Sequence, residues 1–350
     1  MNTEQAPKRA TWEPTRHNNG EGRRRPGSGE KGTGRSHRGS GDGTYESTLD
    51  ATREVCRGAE KQRRTREDQL RPGHETLQAA LQAKAKAAAG YRFYTLWDKV
   101  CREDVLAEAY RRCRDNGGAA GVDGQTFEAI ESHGVKSWLA ALRRKEYQPQ
   151  PLLRVWIPKS SGGQRPLLIP TLRDCVVQMA ALLVLGPIFE ADLCDEQYGF
   201  RPGIGAKTAV RRAYFHAAER GLTEVVDADL SDYFSTIPHG ALMRCLGRRI
   251  ADGSVLSLVK RWLRAPVVER QKAAEVRTTA AADTNRGVPQ GSPISPLLAN
   301  LYFRRFVLAW KQFGHEQRLG ARVVNYADDL VICCRPGSGA AALTAFRGLI

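Results

Sequence analysis

Aspartate is a poor strand former, yet this 350-residue chain sets four of them in or between its most strand-like segments. Val225-Val226-Asp227-Ala228-Asp229-Leu230 is an apolar run carrying two carboxylates, and the short apolar runs Val323 to Tyr326 and Leu330 to Cys334 flank Ala327-Asp328-Asp329. A carboxylate drawn into a sheet needs something that offsets its lost hydration. The second pair of runs predicts a hairpin with acid at its tip. If the first run pairs beside that hairpin, carboxylates from both elements meet, and Mg²⁺, which takes hard oxygen ligands, supplies a reason for them. Two such ions roughly 3.5 to 4 Å apart are the arrangement used in phosphoryl transfer. Period-2 alternation puts Asp227 and Asp229 on one face, so geometry alone does not choose between them. A lone Asp-Asp pair, taken by itself, reads as a turn.

Charge narrows the partner class. Lys and Arg number 54 against 38 Asp and Glu, a net charge of +16, which favours polyanions and makes nucleic acid the leading partner. The best apolar stretch, Val176 to Phe189, is interrupted by Gln178, Gly186 and Pro187, so no membrane span is expected. The N-terminus lacks an apolar signal-peptide core, and the eight cysteines are therefore expected to stay reduced in a cytoplasmic protein. No pair has C-x-x-C spacing and no two of the seven histidines lie three to five residues apart, so a structural zinc is not expected.

Residues 1–48 contain no Ile, Leu, Val or Phe, and 1–72 reads as a disordered basic arm that cannot bury enough apolar surface to order itself. Helical spacing follows in Leu77 and Leu81, then in Val105, Leu106, Ala109, Tyr110 and Cys113, then in Val135, Trp138, Leu139 and Leu142. Val155 and Ile157 alternate with Arg154 and Trp156 as in a strand, and Ser160 to Gly163 reads as a turn. Thr171 with Asp174 forms a capping box for a buried helix over 176–185. A helix is predicted over 207–219, and Ser295-Pro296 as N-cap and first helical residue of a long helix through Trp310. Gly203 to Thr208 imitates a phosphate loop, but Ala206 and Arg201 occupy its required glycine positions, so it is not a Walker site. Arg143-Arg144-Lys145 and Arg211-Arg212 suit a solvated helix face and phosphate contacts equally well.

The constellation says more than any of its parts. Val226-Asp227-Ala228-Asp229-Leu230, then Gly287-Val288-Pro289-Gln290-Gly291-Ser292-Pro293 with Leu297-Leu298-Ala299-Asn300, then Tyr326-Ala327-Asp328-Asp329 occur in that order. Upstream lie Gly121-Val122-Asp123-Gly124, Arg165-Pro166-Leu167 with Ile169 to Asp174, and Tyr198-Gly199-Phe200-Arg201-Pro202. Over residues 73–350 the chain resembles the reverse transcriptases, or maturases, encoded by bacterial group II introns. Ser235 and Leu168 depart from the family's common Asp and Gly, without removing a metal ligand.

The resemblance implies an α+β right-hand polymerase: a helical N-terminal extension over 73–120, fingers over 121–220, and over 221–350 a palm with an antiparallel sheet whose catalytic hairpin spans 321–334. It implies that the thumb and maturase region are missing, since the family continues well past the position of Ile350. Asp229, Asp328 and Asp329 are then the catalytic carboxylates and the ligands of two Mg²⁺ ions. Lys159 and Arg165 meet the triphosphate of an incoming deoxynucleotide, Phe234 lies under its sugar and excludes a 2′-hydroxyl, and Gln290 touches the nascent base pair or template. Implied partners are group II intron RNA and an RNA template with a DNA primer; no membrane is implied. The implied function is RNA-directed DNA synthesis with splicing assistance. Its alternatives are an RNA-binding remnant that no longer polymerises and a host-adopted reverse transcriptase of phage defence or a CRISPR array.

Overall fold

A computed structural model describes residues 73–143, 147–158, 162–270 and 275–350. The basic arm of residues 1–72 and part of the 143–145 charge run lie outside them. The first helices are α1 (Gly73–Ala87), α2 (Trp97–Val100), α3 (Glu103–Asp115), α4 (Phe127–His133) and α5 (Val135–Leu142). The apolar stripes expected from spacing are the buried ones: Leu81 on α1, Val105, Leu106, Ala109, Tyr110 and Cys113 on α3, Leu139 and Leu142 on α5.

Strands β1 (Leu152–Pro158) and β2 (Gln164–Ile169) form an antiparallel hairpin leading into α6 (Leu172–Glu190). Thr171 Oγ1 accepts from the Asp174 backbone N–H at 3.2 Å, so the expected cap starts this helix. With 19 residues of high mean hydropathy, α6 is long and apolar enough to cross a membrane, contrary to the sequence expectation. Polar Gln178 and Asp174 lie buried within it, and α1, α2, α3 and α12 (Ser295–Gln312, below) pack around it, so its apolarity serves the core.

Helix α7 (Ala206–Tyr214) runs into a π turn over Phe215–Glu219, so the helix expected over 207–219 changes its winding midway. Then follow β3 (Glu224–Asp229), α8 (Tyr233–Thr236), α9 (His239–Gly247), α10 (Gly253–Leu263), β4 (Val267–Arg270), β5 (Glu275–Thr278), α11 (Ala280–Thr284), α12, α13 (His315–Arg318), β6 (Arg322–Tyr326), β7 (Asp329–Cys334) and α14 (Gly339–Leu349). Ser295 is not the cap of α12: Ile294 holds that position, while the Ser295 hydroxyl donates to the Pro289 carbonyl at 2.6 Å and ties the helix to the loop before it.

The strands make two sheets, β2-β1-β4-β5 and β3-β7-β6. The first joins distant segments, because β4 pairs parallel with β1 through Leu152–Val267 and Leu153–Val268. Both Val155 and Trp156 are exposed, so β1 lacks the one-sided burial its alternation suggested. The second sheet is antiparallel throughout. Its inner face, with Val226, Leu330 and Ile332, packs on Phe303, Phe306 and Trp310 of α12 and on Ala342 and Phe346 of α14. Its outer face carries the carboxylates.

Candidate active site

The register of the second sheet brings the acids together. In the β3–β7 ladder Asp229 lies directly opposite Asp329, and Asp227 opposite Val331. Alternation buries Val226 and leaves Asp227 and Asp229 exposed on the outer face. In the β6–β7 hairpin Tyr326 pairs with Asp329, which leaves Ala327 and Asp328 as a two-residue turn. The Leu230 N–H donates to the Asp328 carbonyl at 3.4 Å, joining the end of β3 to that turn.

This tip costs free energy in two ways. Ala327 adopts φ 60°, a left-handed conformation that favours glycine and costs an L-residue about 1 kcal/mol. Like charges also crowd there: burial first, then Asp328, Asp229 and Asp227, push the Asp329 carboxyl above its ordinary range. Among the described residues no Lys or Arg forms an ion pair with any of the four aspartates.

Buried contacts behind the tip hold it in place. Asn325, fully buried, donates through Nδ2 to the carbonyls of Ala327 at 2.9 Å and Asp329 at 3.1 Å. The segment before α7 lies against the same hairpin: the Tyr198 N–H donates to the Asn325 carbonyl and the Asn325 N–H to the Glu196 carbonyl, both at 2.8 Å. Gly199 touches the turn so closely that a Cβ would stand 2.3 Å from the Ala327 nitrogen. Asn300 on α12 donates to the Gly199 carbonyl at 2.7 Å, and Gln197 donates back to the Asn300 carbonyl at 2.9 Å. Arg201 pairs with Glu190 at 2.6 Å and donates to the carbonyls of Cys194 and Gln197, fixing the loop that carries Gly199. Tyr198, Gly199, Arg201 and Asn300 lie in the sequence motifs, whereas Glu190, Gln197 and Asn325 lie outside them, and spacing gave no sign that their work is to support the hairpin.

A second group of expected site residues gathers elsewhere. Phe234, on α8, and Gln290 line a cleft of about 420 Å³ together with Phe200. The rings of Phe234 and Phe200 meet edge to face at 6.5 Å, and Phe200 is half exposed at φ 57°. The Gln290 loop is pinned through its backbone, its carbonyl accepting from the Leu168 N–H on β2 at 2.7 Å. Gly291, at φ 116°, would place a Cβ 2.5 Å from the Leu168 carbonyl oxygen. Arg165 is exposed on β2 opposite Ile157 and contacts neither group; Lys159 lies outside the described residues.

A metal fits the tip by its donors: crowded carboxylate oxygens that form no ion pair with Lys or Arg among the described residues are the chemistry of a hard divalent ion. Among those residues no three His, Cys, Asp or Glu side chains converge on a common point as they stand.

Comparison with known proteins gives the family. The family described as reverse transcriptase (RNA-dependent DNA polymerase) matches residues 157–344, more than half of the chain, and the chain belongs to that family. It is 34% identical over 255 residues to Protein YkfC of Escherichia coli, an alignment covering 70% of this chain and 64% of that one. It is 31% identical over 231 residues to the Group II intron-encoded protein LtrA of Lactococcus lactis, covering 64% of this chain and 37% of LtrA. A shorter match, 31% over 91 residues, is to Nuclear intron maturase 1 of Arabidopsis thaliana, covering 26% of this chain and 12% of that one. The chain thus spans less than two thirds of the length of each, and the resemblance to group II intron reverse transcriptases read from its motifs is borne out.

Gly199→Ala should cost about 1–3 kcal/mol of stability in urea unfolding, because hairpin backbone must move to admit the methyl group; an unchanged midpoint would contradict the contact. Asp329→Asn should act in the opposite sense. A carboxyl whose folded pKa is raised favours the fold below its unfolded pKa, and that advantage is lost as pH rises through the folded value. The amide should therefore stabilise the protein by about 0.5 kcal/mol at neutral pH and by less in acid, read from thermal melts across pH.

Proposed function

We propose that the protein is an RNA-directed DNA polymerase of the group II intron type, and the observation that carries this is Asp229 lying in register with Asp329 beside the Asp328 turn. In this reading Asp229, Asp328 and Asp329 hold two Mg²⁺ ions. Bound magnesium supplies the Lewis acidity that activates a primer 3′-hydroxyl and neutralises the departing pyrophosphate. The chain's own part is to present three carboxylates, from the end of β3, the start of β7 and the β6–β7 turn, on a braced ribbon. Phe234 forms the floor beneath the incoming sugar and leaves no room for a 2′-hydroxyl. Gln290, held by a backbone anchor, is free to place its amide against the nascent pair. Arg165 from β2, together with Lys159, meets the triphosphate, as guanidinium and ammonium groups do.

The α+β architecture supports a division into a helical extension over 73–120, fingers over 121–220 and a palm over 221–350, the palm being the β3-β7-β6 sheet on α12 and α14. Strands β4 and β5 pair with β1 and thus join the fingers side of that division. The substrates are an RNA template with a DNA primer and deoxynucleoside triphosphates, and the partner is intron RNA.

Primer extension on an RNA template with Mg²⁺ tests the reading. Asp328→Asn should lower incorporation by at least about 100-fold with the fold intact; full activity in that variant would remove the assignment. RNA binding without any incorporation by the unaltered chain would instead identify a non-polymerising remnant. Phe234→Val should increase ribonucleotide use relative to deoxynucleotide use, and unchanged sugar selectivity would take Phe234 out of the site.

A further inference from the structure

A cleft of about 560 Å³ opens at the other end of the β3-β7-β6 sheet from the acidic tip, beside the start of β6 and the end of β7. Val323 lines the cleft and Tyr326 ends β6 opposite Asp329, so about 10 Å of strand separates the cleft from the acids. Its walls come from α7, the π turn and α13, and four arginines line it: Arg212, Arg220, Arg322 and Arg335. The carboxylates there are mostly engaged. Glu316 is taken by Arg322 at 2.6 Å and Glu196 by Lys311 at 2.7 Å, and Asp195 stands exposed. Among the described residues Arg212, Arg220 and Arg335 have no carboxylate partner. Arg212 donates to the Tyr198 hydroxyl at 3.2 Å and Arg335 to the Gln317 carbonyl at 2.9 Å. Arg212 and Arg220 both lie over the Phe215 ring, at 5.6 and 5.3 Å.

Two further observations agree with a concentration of positive charge here. His216, in the π turn, has its pKa lowered by burial and then by Arg212, Arg322 and Arg220, against Glu196 acting the other way. On α7, Ala209 packs against Val324 of β6 while Lys207, Val210, Arg211 and Tyr214 form an exposed stripe, Tyr214 at 63% and Val210 at 66% exposure. Val324 shares its sheet face with Tyr326 and Asp329, so α7 lies on the acid-bearing face, between tip and cleft.

We propose that the cleft is a second nucleic-acid site, in which Arg212, Arg220 and Arg335 grip phosphates of an unpaired strand that crosses the α7 stripe. Guanidinium forks without carboxylate partners are suited to phosphodiesters. An exposed tyrosine among cations serves a strand with free bases, because a paired base has no open face for an aromatic ring to stack on. The site does not rest on the polymerase reading, since strand binding is measured without nucleotide incorporation.

Fluorescence anisotropy with the full chain and a short labelled single strand, in RNA and in DNA form, tests it across a salt series. Arg220→Ala and Arg335→Ala should each weaken binding about 3- to 10-fold, and each lost phosphate contact should make the salt dependence shallower by about one unit of log–log slope. Lys260→Ala, an exposed cation of α10, should change neither. Arg220 is exposed and makes no side-chain hydrogen bond among the described residues, so Arg220→Glu probes the site without dismantling the fold. Equal losses on RNA and DNA support a phosphate grip, and a loss on RNA alone supports it with an added ribose contact. Unchanged affinity and slope in the Arg220→Ala/Arg335→Ala double variant and in Arg220→Glu would overturn the proposal, as would an equal loss on a blunt duplex.

Discussion

Everything at the acidic tip depends on a close backbone contact resisting electrostatic repulsion. Carboxylates on facing strands push apart, and an alanine in the left-handed region adds its own cost. The hairpin keeps its shape because Asn325 satisfies two turn carbonyls from within the core and because Gly199 lies against Ala327 with no room for a side chain. That arrangement extends outward through Asn300 to α12 and through Arg201 to the end of α6. The ribbon is therefore braced around its tip, while Asp227 and Asp229 stay exposed on the outer face. An acidic surface kept in place with no ion pair to a cation among the described residues costs stability, a trade common where a protein is shaped for a ligand.

The parts legible in the sequence were those with strong local signals. The four aspartates in apolar runs announced both strands and the hairpin, and Thr171 with Asp174 announced the start of α6. Ser295 misled because a serine before a proline has the composition of a helix cap, while its hydroxyl is spent on the Pro289 carbonyl. The apolarity of α6 was underestimated because Gln178 and Pro187 break the run in one dimension, yet a helix enclosed by four others tolerates both. The pairing of β4 with β1 had no local signature, since parallel partners so distant in the chain leave no periodicity to read.

The cleft of Phe234 and Gln290 shows the same division between scaffold and site. Its loop is held by main-chain contacts with β2, at the Gln290 carbonyl and at a glycine that only just clears Leu168. Anchoring through the backbone leaves side chains available, which is why a Pro-Gln-Gly-Ser-Pro run reads as both structural and functional. Phe200 had no local signal in the sequence: it combines a positive φ with half exposure, next to the close contact at Gly199.

The parallel seam between β1 and β4 also has a consequence for biosynthesis. On a ribosome, the β1–β2 ribbon ends at Ile169 and emerges well before β4, which begins at Val267, so the edge of β1 at Leu152 and Leu153 stays unpaired meanwhile. Non-local pairing of this kind is slow to nucleate and leaves a sticky edge exposed while it waits. The helices packed on α6, whose contacts are mostly made earlier in the sequence, are the part of the molecule able to form first.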